Sequence, residues 1–450
     1  MSFSIKQTWI ECIGCGFQAE LLQERKFKCP KCGNLFDIKH NLDLLEMYPA
    51  GWTQKFDARA RRTDLGKTDN PLFHSGVWRF KEWIMPYLPT NDIVTLGEGN
   101  VPITKAGKNL LEWIGGDIDL HIIQEGMTPT GSFKDFGGTV MMSLAKTMGI
   151  KTVCCASTGD TSAMAAAYAA KAGIECVVIL PKGLVTPAQI AQPLVHGALV
   201  IMLPGDFDDC MRVQLELTTN HGVFPANSIN PSRIEGHQAT VFLLAQHFGW
   251  ELPDWIAAPV GNGSNVSSIG KGLRLIQEQL PNIGSSNILG CQSRAANPLA
   301  RSWNLANNGR WDEGVDRRNF WLEKYVDIEC GTTTATAARI GAPVSRDKVM
   351  REIALSRGAM TVAQEEDLNQ AVFVCGRDGL FVCPQTGIAL AGVKNAVKNG
   401  WIKAGDRVAV VSTANGLKFT ESASENPDRR MIDSSDCSVE SVLDLISAYS

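Results

Sequence analysis

An α/β fold built on mainly parallel sheet is what this sequence predicts. Three observations carry the prediction. From about residue 118 onward, short apolar β-type runs alternate with amphipathic helical stretches. The turns that leave several of those runs are rich in Gly, Ser, Thr and Asn. At 450 residues the chain can bury large cores, and its length suggests roughly two to four domains.

In chain order, Lys151 to Ala156 reads as a buried strand and Thr161 to Ala172 as an alanine-rich helix. Glu175 to Leu180 is the next strand, ending at Pro181; Thr186 to His196 is helical, Ala198 to Leu203 a strand, and Asp206 to Asn220 a helix. The pattern resumes with a strand at Trp255 to Ala258, a helix at 266–279 and a strand at Ile288 to Gln292, and it closes with Arg407 to Val411. Strands joined through helices run parallel. Cys154 and Cys155 are neighbours on a strand and should point to opposite faces. Residues 46–90, rich in Trp, Arg and Pro, read as an irregular connecting arm. The stretch from Glu421 to about Cys437 reads as a polar, acidic tail, and no internal repeat is evident.

Composition narrows the function classes. The net charge of −4 and the isoelectric point near 6.0 argue against nucleic acid as the main partner, because phosphate contacts need clustered Lys and Arg. The basic run Arg59-Ala60-Arg61-Arg62 is short and reads as a solvated or substrate-facing stretch. No secretory signal opens the chain and no apolar run is long enough to span a bilayer. Thirteen cysteines then read as reduced or metal-bound, and a cytoplasmic location with no membrane association is expected.

Four of those cysteines form a pattern. Cys12-Ile13-Gly14-Cys15-Gly16 and Cys29-Pro30-Lys31-Cys32-Gly33 are two C-x-x-C-Gly knuckles. The glycine after each pair lets the backbone turn so that amides can face thiolate sulfurs. Four sulfurs in two close pairs suit a tetrahedral structural Zn²⁺ with no open position for catalysis. The same spacing is also met by free thiols, since it shows capacity and not occupancy.

The chemistry concentrates in five segments. Gly131-Ser132-Phe133-Lys134-Asp135 sets a lysine at the start of a helix expected over Asp135 to Lys146. A partly buried lysine has a lowered pKa, and its neutral amine can attack a carbonyl. Gly261-Asn262-Gly263-Ser264-Asn265 leaves one strand and opens a helix, where converging N–H groups bind phosphate. It lacks the third glycine of a dinucleotide fingerprint and the Lys-Ser/Thr pair of a Walker loop, and alone it also reads as a plain strand–helix turn. Ser157-Thr158-Gly159-Asp160-Thr161 reads either as a helix cap or as a loop that binds a substrate carboxylate. Ser412-Thr413-Ala414-Asn415-Gly416 lies at the carboxyl end of a strand, where open α/β sheets hold ligands. In Ser228-Ile229-Asn230-Pro231-Ser232-Arg233, an Arg with hydroxyl companions suits bidentate phosphate binding, or caps a solvated helix.

Taken together with Ser75-Gly76-Val77-Trp78-Arg79, Thr95-Leu96-Gly97-Glu98-Gly99-Asn100, Glu235-Gly236 and Thr334-Ala335-Thr336-Ala337-Ala338-Arg339-Ile340-Gly341, these segments occur in a recognisable order. Over roughly residues 75–420 the chain resembles the threonine synthases, members of the fold type II group of enzymes dependent on pyridoxal 5'-phosphate (PLP). That group also includes the tryptophan synthase β chain and cysteine synthase. The resemblance implies two parallel-sheet α/β domains: a large PLP-binding one from 91–131 and 231–420, and a small inserted one at 132–230. The zinc-ribbon-like module at 1–45, the arm at 46–90 and the tail at 421–450 complete the organisation. It further implies that Lys134 carries the cofactor covalently, that Gly261, Asn262, Gly263, Ser264 and Asn265 hold its phosphate, that Asp160 sits near its 3-hydroxyl, and that Thr413 faces its ring nitrogen. Ser157, Thr158 and Thr161 would line a substrate carboxylate; Ser228 and Arg233 would grip a substrate phosphate. A homodimer is expected by analogy. Two departures stand out: Phe136 occupies a position where many relatives carry Arg, and the late loop reads Thr-Ala-Asn-Gly where Thr-Gly-His-Gly is common.

The implied reaction converts O-phospho-L-homoserine, a phosphorylated amino acid, and water to L-threonine and phosphate. Other reactions of the same group, such as cysteate or cysteine synthesis or threonine dehydration, remain open at this stage, with phosphoserine a second phosphorylated substrate. From another class, a zinc-ribbon protein that binds nucleic acid or a partner protein fits the first 45 residues, but not the acidic balance or the long α/β body.

Overall fold

A computed structural model describes residues 7–21, 27–61, 70–157, 159–183, 185, 187–307, 317–421 and 438–449. The N-terminal segment forms an antiparallel sheet of β1 (Thr8–Cys12), β2 (Gln18–Glu20) and β3 (Phe36–His40), in the order β2-β1-β3. The arm that follows is less irregular than its Trp and Pro content suggests, because Pro49–Ala60 is a helix. Pro49 opens it, where a missing N–H costs nothing. Trp52, Phe56 and Arg59 recur at helical spacing and bury one face. Trp83 lies edge-on to Phe56 at 4.8 Å and to Phe242 at 5.1 Å, which locks the arm to the body of the protein.

The body contains two α/β sheets. The larger has the order β12-β11-β10-β13-β5-β4, with β4 (Ile103–Lys105), β5 (Asp119–Gln124), β10 (Trp255–Pro259), β11 (Asn287–Ser293), β12 (Ala359–Ala363) and β13 (Arg407–Ser412). All its pairs are parallel except β4 against β5, an antiparallel edge. Ile256, Ala257, Ala258 and Val408 to Val411 are fully buried, as expected for strands covered by helices on both faces. The smaller sheet is wholly parallel in the order β8-β7-β6-β9, from β6 (Thr152–Ala156), β7 (Glu175–Pro181), β8 (Leu199–Leu203) and β9 (Phe224–Pro225). Cys155 joins the core on one face of this sheet and Cys154 the cluster on the other, as adjacent strand positions must.

Register fixes where the functional loops emerge. Val410 pairs with Ala257 of β10 on one side and with Ile122 of β5 on the other. The carboxyl ends of β10, β13 and β5 are therefore side by side. From them leave 260–263, 413–416 and 125–133 respectively. In the small sheet the loops after β6 and β9 are likewise neighbours, and Asn227 ties them by donating to the Ala156 carbonyl (3.0 Å) and accepting from its N–H (3.2 Å).

One close approach joins the two halves. The helix Ser232–His237 lies so tightly on the helix Lys134–Thr147 that a Cβ on Gly236 would overlap the Phe136 carbonyl. The acidic stretch 422–437 lies outside the described residues; beyond it, Val439–Tyr449 is helical. Among the described residues no helix is long and apolar enough to cross a membrane. Overpacking this contact gives a direct prediction. Gly236→Ala lowers the unfolding free energy by about 1–3 kcal/mol in urea titration. Gly376→Ala, near the end of the helix Glu365–Arg377 with open space around its Cα, leaves stability unchanged or raises it.

Candidate active site

The loops that leave β13 and β5 are stitched together by backbone. The Phe133 N–H donates to the Thr413 carbonyl (2.8 Å), the Asn415 N–H donates to the Gly131 carbonyl (3.0 Å), and Ser132 pairs with Ala414. Gly131 makes the turn at φ +81°, in the region that favours glycine. Asp135 anchors the same turn from inside, accepting from the Thr130 N–H at 2.8 Å. Lys134 is thereby fixed as the first residue of its helix, one position earlier than its sequence pattern indicates.

The Lys134 amine lies 3.8 Å from the centroid of the Phe133 ring. Burial first, and then the nearby Arg233 charge, lower its pKa to about 7, with Asp160 opposing the shift. An amine with a pKa near 7 has the neutral form available at physiological pH, the form that can attack a carbonyl or take up a proton. Arg233 is buried, and its Nη1 donates to the Ala226 carbonyl at 3.1 Å. Its Nε and Nη2 have no partner. A guanidinium does not shed its charge, so two unfilled donors on a buried side chain call for an anion.

The Gly261–Asn265 turn opens the helix Ser264–Gln279. Gly263 sits at φ +87°, and a side chain there would strike Val349. Asn265 is buried with neither its amide N nor its O partnered. At the mouth of the small sheet, Asp160 begins the helix Asp160–Ala172 and pairs with Lys418 at 2.9 Å. The Ser157 hydroxyl accepts weakly from the Gly159 N–H at 3.4 Å, and no side chain caps that helix. Ser157 and Thr161 flank this turn and are part-buried, as is Ser228 on the adjacent loop; Thr158 lies outside the described residues.

Comparison with known proteins decides the family. The model of the family described as pyridoxal-phosphate dependent enzyme matches residues 94–414. Threonine synthase 2, chloroplastic, of Arabidopsis thaliana is 36% identical over 399 residues, covering 87% of this chain and 73% of that one. The threonine synthase of Methanocaldococcus jannaschii is 34% identical over 418 residues, covering 89% and 95%. The chain belongs to the threonine synthases. Among solved structures, threonine synthase from Escherichia coli shares the fold at a TM-score of 0.65 and 17% identity, covering 97% of this chain and 94% of that one.

The residues of this threonine synthase family member fit the cofactor that the family uses. A near-neutral amine suits its aldehyde, and a glycine turn at a helix start suits its phosphate. Asn265, on that turn, is buried with both side-chain amide atoms unpartnered, which a polar ligand there would satisfy. Thr413 contributes a buried hydroxyl 3.5 Å from the Cys383 sulfur, and its N–H donates to Thr386 Oγ1 at 3.3 Å. Both departures from the family pattern have physical accounts. Phe136 is fully buried in the main core, where an apolar ring is at home. Asn415 ties its own turn by accepting from the Leu417 N–H at 2.9 Å.

Several neighbours had no motif to reveal them. Lys418 reaches Asp160, the Thr130 carbonyl (2.9 Å) and Gln192 Oε1 (3.1 Å), so it spans both sheets' loops. His237 lies 4.9 Å from the Phe133 ring, with both ring nitrogens unpartnered. Glu125, at the exit of β5, is buried with Thr240 as its donor, and burial pushes its carboxyl up to about 8. Only the third could be suspected from sequence, as a carboxylate at the end of an apolar strand.

The four N-terminal cysteines converge. Their sulfurs all lie within 4.8 Å of one another, with Cys12–Cys32 at 3.4 Å and Cys15–Cys29 at 3.6 Å. A tetrahedron with Zn–S bonds of about 2.3 Å has sulfurs about 3.8 Å apart, so the set suits that ion. The amides facing sulfur belong to Gly14 and Lys31, each 3.4 Å from the first sulfur of its knuckle. Gly16 and Gly33 instead close each turn onto the Cys12 and Cys29 carbonyls at φ +70° and +73°.

The lowered lysine pKa has a measurable signature. In cofactor-free protein, acylation of Lys134 rises with pH around a midpoint of about 7 rather than 10.5. Peptide mass mapping across pH checks this, and a midpoint near 10 contradicts the lowered pKa. Between about 7 and 10.5 the unfolded chain holds a proton that the folded chain lacks. Raising pH through that window therefore stabilises the cofactor-free fold.

Proposed function

We propose that the chain converts O-phospho-L-homoserine and water to L-threonine and phosphate with PLP as cofactor. The observation that carries the reading is the buried Arg233 guanidinium, with two unpartnered donors beside the lysine whose pKa it lowers. Such a site favours an anion next to an amine-reactive centre, which describes a phosphorylated amino acid.

The cofactor, when bound, supplies an electron sink for charge that develops at the substrate's α carbon. Lys134 would hold it; Gly261, Asn262, Gly263, Ser264 and Asn265 would bind its phosphate; Asp160 would serve its 3-hydroxyl and Thr413 its ring nitrogen. Threonine is a neutral hydroxyl partner and would leave that nitrogen largely unprotonated, as Asp would not. Ser157, Thr158 and Thr161 would bind the substrate carboxylate. Ser228 and Arg233 would hold the substrate phosphate, which then departs as the anion Arg233 already grips. Lys134, near neutrality at physiological pH, can accept a proton from one carbon and return it to another.

Zn²⁺ at Cys12, Cys15, Cys29 and Cys32 is part of the same proposal, with a structural role. So are a homodimer, a cytoplasmic location and a small-molecule substrate with no nucleic-acid partner. One metal per chain by atomic emission, abolished by Cys12→Ser, tests the first of these.

Phosphate release separates the substrates. The PLP-loaded protein turns over phosphohomoserine faster than phosphoserine, with or without sulfite; the reverse order overturns the assignment. Arg233→Gln lowers kcat/KM for phosphohomoserine by about tenfold to a hundredfold, the value of one or two charge-assisted hydrogen bonds.

A further inference from the structure

The third strand of the N-terminal module reaches the helices of the candidate active site. β3 is paired along its length with β1, Cys12 opposite Phe36 and Thr8 opposite His40. Phe36 and Ile38 join the main core, and the strand's polar contacts go to three helices. The Phe36 carbonyl accepts from Lys348 Nζ (2.7 Å) and the Ile38 carbonyl from Lys271 Nζ (2.6 Å). Asp37 pairs with Lys348 and Arg351, each at 2.7 Å. His40, oriented by Thr8 at 3.0 Å, places its Nε2 3.4 Å from Glu235, and Lys271 pairs with the same carboxylate.

Each helix so held carries part of the site. Glu235 lies two residues beyond Arg233 on the helix Ser232–His237. Lys271 stands on the helix that the Gly261–Asn265 turn opens. Lys348 belongs to the helix Arg346–Leu355, whose Val349 fills the space beside Gly263; just before it, the Ser345 N–H donates to the Asn262 carbonyl at 3.0 Å. Buried charges with specified partners fix registry in a way that apolar packing does not.

We propose that the four-cysteine module is a brace for the two phosphate seats: β3, through His40, Asp37 and the Lys271–Glu235 pair, sets the positions of Arg233 and of the 261–265 turn. His40 and Glu235 are positioning residues that touch no substrate. The inference rests on the phosphate-binding reading of Arg233 given above. It assigns the module a share in phosphate affinity, beyond holding its own fold.

The test titrates inorganic phosphate into full-length, PLP-loaded protein by calorimetry, for wild type, His40→Gln and Cys15→Ser. Cys15 is exposed and lies beyond the Cys12 end of the ladder, away from His40, so its replacement loosens the module without opening a core. Both variants bind phosphate about five- to tenfold more weakly. Their KM for phosphohomoserine rises by the same factor while kcat stays within about twofold, a split that general destabilisation does not produce. Wild type that fails to bind phosphate overturns the reading of Arg233 and the brace with it. Wild type that binds, with variants that bind equally well, overturns the brace alone. If His40→Gln lacks a cooperative melt, hydrogen exchange on Cys15→Ser decides. Protection must fall at 232–238 and 261–266 but hold at 152–156, and unchanged protection at all three overturns the proposal.

Discussion

Two cationic side chains brought close together, Arg233 buried and Lys134 part-buried, set the terms for the rest of this molecule. Arg233 keeps its charge wherever it is placed, so its proximity bears on Lys134, whose amine is driven toward neutrality by burial and by that charge. Asp160 gives some relief, but it is shared with Lys418. A site with this imbalance is costly until an anion arrives, and the fold concentrates its most specific contacts around it.

Those contacts come from several directions. Parallel register brings the ends of β10, β13 and β5 together, and backbone bonds from Phe133 and Asn415 lock the lysine turn to the loop after β13. Glycine at 236 allows the arginine helix to lie against the lysine helix at a distance no larger residue permits. The small sheet contributes the loops after β6 and β9, joined through Asn227. Lys418 bridges to this side from the loop that carries Thr413. The site is thus a property of two sheets and their junction.

Much of this was legible in the sequence because local chemistry and tertiary role agree. The strands at 152–156, 175–181 and 287–293 are apolar runs between turn residues, and their sequence boundaries differ from the observed ones by a residue or two. The cysteine knuckles carry their own spacing. Less legible was whatever depends on partners far along the chain. The helix Pro49–Ala60 was hidden by its aromatic content, since Trp52 and Phe56 acquire meaning only against Trp83, which itself packs on Phe242. β12 and the helix Pro384–Lys398, buried on many sides, lack amphipathic contrast. Lys418 and His237 belong to no motif; only folding places them beside Asp160 and Phe133. The charges on β3 look like an ordinary solvated edge until Lys271, Lys348 and Glu235 surround them.

The covalent role of Lys134 is the claim on which the chemical account stands, and it has a single decisive measurement. The protein is loaded with PLP, reduced with borohydride, digested, and each lysine-bearing peptide is weighed. The account predicts the added pyridoxyl mass on the peptide containing Lys134 and on no other. Label on a different lysine, or none after loading, would contradict it.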